Sequence, residues 1–188
     1  MGDQDSDDTD DPDSDDGDEI YVISGYQYVI TASAKNGYGT VMVVGRTSKS
    51  KSIVIKNVVR IAGVNYRVTA VDEAAFMKDT RATSVKIGKY VTEIGAKAFS
   101  GCTKLKSVTI GSAVKKIGKQ AFYNCKSLTK MTITTSKLTK AKVGSAAWKK
   151  AGKKKGAKLM VKVPKKKYKL YKQLLQSKGL SKKAVIRK

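Results

Sequence analysis

The chain has 188 residues, with 39 Lys and Arg against 15 Asp and Glu, and no His. That length suits one folded unit with a tail. The missing imidazole removes the side chain that does acid–base work near neutral pH, two Cys make neither a metal cluster nor a disulfide framework, and no apolar run reaches the roughly 18 residues of a membrane-spanning helix.

The charge is unevenly placed. Eleven of the 15 acidic residues lie in residues 3–19, and beyond them only Asp72, Glu73, Asp79 and Glu93 face all 39 cations, a net +35. Of those cations 34 are Lys and 5 are Arg. Lys is a hydrated point charge, whereas Arg is the residue of bidentate recognition. The bias predicts diffuse attraction to polyanions rather than base reading, so no specific nucleic acid is expected.

Residues 1–19 are an acidic low-complexity segment that cannot bury enough apolar surface to fold and is expected to be a disordered tail or linker. Asp13, Asp15, Asp16, Gly17, Asp18 and Glu19 have oxygen ligands of the kind calcium takes. No helix or framework follows to fix them, and tracts of like charge are usually solvated tails. No secretory signal is present in this acidic start, so an exported protein would be represented here by a mature region or a fragment.

Residues 20–68 read as a β-rich N-terminal cap. Strands are predicted over 26–31, 40–44 and 52–55, with Asn36-Gly37 as a turn, and 58–61 with 66–71 form a hairpin around Gly63. Residues 69–164 then repeat one phrase. Ile94-Gly95, Ala98-Phe99, Cys102, Leu105, Val108 and Ile110 recur 23 residues later as Ile117-Gly118, Ala121-Phe122, Cys125, Leu128, Met131 and Ile133. An earlier copy reads Val71, Ala75-Phe76, Val85 and Ile87. Self-similarity at such a period marks a solenoid, because one copy cannot bury its own apolar side and stacked copies can. Val108-Thr109-Ile110 alternates like a strand with Thr109 outward. Ile94-Gly95 to Ala98-Phe99 suits one tight helical turn with the aromatic facing in.

A fourth, irregular copy carries Val143-Gly144 and Ala147-Trp148, with three residues inserted, a lysine-rich loop over 149–158 and a strand at 160–163. Trp148 takes the Phe place as a core aromatic. Cys102 and Cys125 sit one repeat apart, which suits two buried thiols in a ladder better than a disulfide, whose Cβ atoms must lie about 3.5–4.5 Å apart. Residues 165–188 read as a basic helical C-terminal cap: Tyr168, Tyr171 and Leu175 share a helix face with Leu174 beside them, Gly179 is the stop, and 184–186 can add a last strand. Such a helix could also lie on a membrane, but its short apolar stripe suits the open end of the stack.

The stretch from Val91 to Ile133 resembles the BspA-like, or treponemal, leucine-rich repeat, which uses a 23-residue unit with Ile-Gly, Ala-Phe, Cys and Leu at these offsets. The resemblance extends weakly over residues 59–180. It implies a cell-surface or secreted bacterial protein, often of a host-associated species, with adhesion as the usual role. The first copy departs from the pattern, with Asp72 for the Gly, Asp79 for the Cys and Ala82 for the Leu, as an edge repeat would. The expected fold is therefore an α+β solenoid: a short leucine-rich-repeat stack of 23-residue repeats with an N-terminal β cap and a C-terminal helical cap.

Catalysis has little to work with. Asp72 and Glu73 would point to opposite sides of a strand, and a glycosidase needs two carboxyls facing one cleft. The chain reads as a non-enzyme, with no cofactor and no metal. Binding remains, and the repeat frame turns Ser84, Lys86, Ser107, Thr109, Lys130, Thr132 and Lys162 outward on the strand column. These residues are the candidate ligand-binding face, for a host protein or glycan, or alternatively for anionic cell-wall polymer. They could equally be plain solvated strand positions.

Overall fold

The computed structural model describes residues 19–34, 37–154 and 158–188. The expected acidic tail, its calcium-like spacing (Glu19 apart), Asn36 of the expected turn and the middle of the lysine-rich loop lie outside the described residues. In chain order, β1 (Tyr21–Ile23), β2 (Tyr26–Ala32) and β3 (Gly39–Arg46) come first, then β4 (Ser52–Val54), then β5 (Val58–Ile61) and β6 (Val64–Val71). The repeats supply β7 (Ser84–Lys86), β8 (Glu93–Ile94), β9 (Ser107–Ile110), β10 (Lys116–Ile117) and β11 (Lys130–Ile133). β12 (Met160–Lys162), a 3-10 turn over Lys165–Lys167, α1 (Tyr168–Ser177) and β13 (Val185–Arg187) complete the chain.

Together they wind into a β-solenoid of about six turns with a short C-terminal helix. One sheet is wholly parallel, in the order β13-β12-β11-β9-β7-β4. Register follows the repeat: Val85 pairs with Val108 and Val108 with Met131. Strands β9 and β11 alternate as expected, with Val108, Ile110, Met131 and Ile133 buried and Thr109 and Thr132 outward. The second sheet begins as the antiparallel run β1-β2-β3 and continues in parallel through β6, β8 and β10. A single bridge from Ile117 to Val143 adds the fourth copy.

Between the sheets the backbone takes corners rather than the expected helical turn. Ala74, Lys97, Gln120 and Ala146 all have φ of 53–57°, and four residues on, Lys78, Gly101, Asn124 and Lys150 have φ of 58–76°. A left-handed residue at each end of a four-residue step breaks α-helical geometry. Each corner keeps a three-residue turn bond, such as Ser100 N–H to Lys97 O, and bonds also to the coil above: Phe76 N–H donates to Ala98 O, Phe99 N–H to Ala121 O and Phe122 N–H to Ala147 O, each at 2.8 Å. The aromatic does face inward. Phe76, Phe99 and Phe122 stack with centroids 5.2 Å apart and planes within 7°. The Gly of the Ile-Gly phrase follows from the same closeness, since a Cβ on Gly118 would lie 2.3 Å from Ala96 N.

Both ends of this stack are covered. Below, Tyr26 packs edge-on against Phe76, and its hydroxyl accepts the Val54 N–H of edge strand β4 at 2.8 Å. Here one of the first copy's departures, Asp79, gains a cause. Each regular Cys donates its thiol to the Phe carbonyl of the coil beneath, Cys102 to Phe76 O and Cys125 to Phe99 O. Asp79 has Arg46 of the cap as its partner instead, at 2.6 Å with both side chains buried. Above, Tyr171, Leu174 and Leu175 of α1 are buried on the stack beside Trp148. The helix ends with Leu180 N–H on Leu175 O, Gly179 N–H on Gln176 O and Gly179 at φ +99°, the left-handed glycine stop that satisfies the last carbonyls.

Candidate functional site

The parallel sheet carries the candidate residues on its outer face, and strand register decides how they meet. Ser84, Ser107 and Lys130 are cross-strand partners, and so are Lys86, Thr109, Thr132 and Lys162. Neighbouring strands lie about 4.8 Å apart, so the seven residues form two straight rows across four strands. Lys86, Lys130 and Lys162 are exposed, and Ser84, Ser107, Thr109 and Thr132 are half-buried. A hydroxyl patch in the middle is thus flanked by ammonium groups.

The rows run further than the repeat frame indicates. β4 adds Ser52 beside Ser84 and Val54 beside Lys86, and β13 adds Arg187 beside Lys162. Ser84 Oγ donates to Ser52 Oγ at 2.9 Å. Sequence reasoning missed these because Ser52 lies 32 residues before Ser84, not 23, and the stretch containing Ser52 reads as part of the cap. Beside the second row, a shallow groove of about 590 Å³ opens between the turns that follow the strands, lined by Lys56, Lys86, Lys89, Thr109, Ser112 and Thr134.

The face offers hydroxyl donors and acceptors, cations and regular spacing. Asp72 is half-buried and Glu73 exposed. Glu93 is bound to Lys116 at 2.6 Å. Asp79 is engaged by Arg46, and its other oxygen accepts the Arg81 and Ala82 N–H groups. Burial pushes the Asp79 carboxyl up, but those two N–H groups and the guanidinium outweigh it and hold the group below its ordinary value. Cys102 and Cys125 are free and buried. Burial pushes the Cys102 thiol up to about 12 and raises Cys125 as well, which keeps both protonated and unreactive. Among the described residues no group of three or more His, Cys, Asp or Glu is placed to hold a metal, and no helix is long and apolar enough to cross a membrane.

Residues 68–157 match a family model described as a BspA type leucine rich repeat region (6 copies). Among solved structures, a leucine rich cell surface protein from Faecalibacterium prausnitzii A2-165 is similar at 30% identity and TM-score 0.61, over 78% of this chain and 37% of that one. A leucine-rich repeat protein from Bacteroides capillosus is similar at 25% identity and TM-score 0.55, over 64% of this chain and 87% of its own. The leucine rich repeat protein of T. pallidum shares the fold at 21% identity and TM-score 0.53, over 74% of this chain and 69% of that one. The chain therefore spans little more than a third of the Faecalibacterium protein's length. No curated protein matches.

Proposed function

We propose, from the match of residues 68–157 to the BspA-type leucine-rich repeat model, that this chain is a non-catalytic interaction module of a cell-surface or secreted protein. Its ligand is a host protein or glycan, bound on the outer face of the parallel sheet. The observation that carries this reading is the pair of in-register rows. Lys86, Thr109, Thr132, Lys162 and Arg187 stand side by side on five adjacent strands, so short hydroxyls and cations repeat at the strand spacing. Repeat proteins use such extended faces for binding. Residues 20–188, offered matrix proteins and mucin glycans, should retain one of them at about 0.5 M salt, where screening reduces charge attraction to a few Å. The double variant Thr109→Tyr, Thr132→Tyr keeps β propensity but fills the face, and it should lose that partner. Retention by the variant would move recognition elsewhere.

A second reading has its own support in the charge. After Glu93 the chain has 28 Lys and Arg and no Asp or Glu. That supports retention of a larger protein on anionic cell-wall polymer, with binding that disappears at high salt.

A further inference from the structure

Among the described residues lysines line several hollows, and one of these, at the last turns of the stack, lies away from the strand face. The stack is regular up to β11, with partners 23 residues apart, but Met160 pairs with Lys130, 30 residues on. Three of the seven extra residues precede Val143, which bridges Ile117 at an offset of 26, and the other four fall in the loop after Trp148. Gly152 N–H donates to Cys125 O and Lys154 N–H to Lys126 O, so residues 152–154 are pinned to the coil below. The next coil passes above through residues 181–184, with Val185 N–H on Leu159 O. A cleft of about 590 Å³ remains between the two, with Leu159 and Ala184 on its floor and Lys153, Lys154, Lys158 and Lys183 around it. All four lysines are exposed.

We propose that this cleft is the seat of a linear polyol-phosphate polymer, a chain of phosphodiesters joined by short aliphatic units. The proposal rests on the second reading above and gives that reading a place. Four ammonium groups around one hollow repel one another, and no acidic residue occurs within the last 95 positions to relieve them. An anion entering the hollow relieves all four. Lys binds phosphate as a point charge without demanding the planar fork that Arg brings to carboxylates, so a flexible chain can slide between the lysines. The lining contains no aromatic ring. Nucleic acid bound as single strands relies on aromatic stacking platforms for its bases, and that feature is missing. The aliphatic floor suits a linker with no flat face.

The test compares two quadruple variants of the full chain with the same net charge. One carries Lys153→Gln, Lys154→Gln, Lys158→Gln and Lys183→Gln. The other carries Lys→Gln at Lys104, Lys106, Lys115 and Lys119, all exposed on the regular coils. Binding to immobilised poly(glycerol phosphate) is measured from about 50 to 200 mM salt, with sulfated dextran of matched charge as a second surface. On a flexible polyanion each neutralised charge contributes about 0.7 to the slope of log affinity against log salt. The cleft variant should lose about tenfold or more in affinity at 50 mM salt and flatten that slope by about 2 to 3, and the control variant by less than half as much. Unchanged melting temperatures show that both variants are folded. Equal losses in the two variants would overturn the cleft and leave the retention reading standing as diffuse attraction. No binding of the unsubstituted chain to poly(glycerol phosphate) would overturn both. A cleft-specific loss on sulfated dextran but not on poly(glycerol phosphate) would overturn the ligand class.

Discussion

The two ends of the solenoid solve one problem with different chemistry. Each must cover an apolar coil edge and satisfy the backbone groups that a next coil would have bonded. At both ends a tyrosine hydroxyl does part of this: Tyr26 accepts the Val54 N–H below, while Tyr171 accepts the Leu138 N–H and donates to Thr135 O above. Beyond that they diverge. The lower end replaces the thiol ladder with the buried Arg46–Asp79 pair. The upper end replaces the Phe stack with Trp148, fully buried beneath α1, whose coil bonds onward through Trp148 N–H to Lys178 O. One end depends on charge and the other on apolar volume, and that difference predicts how each fails.

The largest effect is expected at the upper end. Trp148→Ala removes the largest buried side chain of the stack and should cost about 3–5 kcal/mol, seen as a fall in urea midpoint of the same size at each pH. At the lower end Asp79→Cys would bring the first copy to the pattern of the others. It should nonetheless destabilise the protein by about 3 kcal/mol, because Arg46 is left buried without its counter-charge. Gain of stability in that variant would show that the repeat pattern, not the cap, governs this position.

Acid separates the ends again. The Asp79 carboxyl sits below its ordinary value in the folded chain. Its contribution is therefore complete above the unfolded value of about 3.9 and is lost as pH falls through the lower folded value. Hydrogen exchange followed from pH 5 to pH 2 should show β3 and residues 79–82 opening before α1. Simultaneous opening would mean that Asp79 is not the group that fails.

How much of this was legible in the sequence depends on the length of each element. The parallel column through β7, β9 and β11 could be read because four apolar positions recur at one offset. In the second sheet β2, β3, β5 and β6 could be read too, but its repeat strands could not, since β8 and β10 have two residues each, too few to show alternation. The corners were mistaken for a helical turn because Lys97 and Gln120 give no hint of positive φ, and only Gly101 and Asn124 at the next corner do. Of the two outward rows, the repeat frame reaches the positions of seven residues but not those of Ser52 and Arg187. The first belongs to a coil of different length, and the second follows the helix. Asp79 was visible as a departure from the pattern, but its partner Arg46 lies 33 residues away, with no motif to connect them.

Tyr171→Phe is a smaller test of the upper end. It leaves the buried Leu138 N–H without an acceptor and should cost about 1–3 kcal/mol, with the helix still docked through Leu174 and Leu175. Loss of the helical circular-dichroism signal at temperatures where the stack persists would show that the hydroxyl, rather than the apolar face, holds α1.

The smallest expected effect sharpens the contrast most. Glu93 and Lys116 are joined at 2.6 Å, the same distance as Arg46 and Asp79, but their side chains are 41% and 58% exposed against 8% for Asp79 and 3% for Arg46. The shortest distance is the same in the two pairs, whereas burial and the number of donors on the carboxylate are not. Water already solvates both partners of the exposed pair, so its attraction is screened and its net value is about 0–1 kcal/mol. Glu93→Gln should therefore move the urea midpoint by an amount near the limit of measurement, and high salt should erase even that. If Glu93→Gln cost as much as Asp79→Cys, distance alone would explain both, and the lower cap would owe its sensitivity to strand pairing between β3 and β6 rather than to a charge hidden from water.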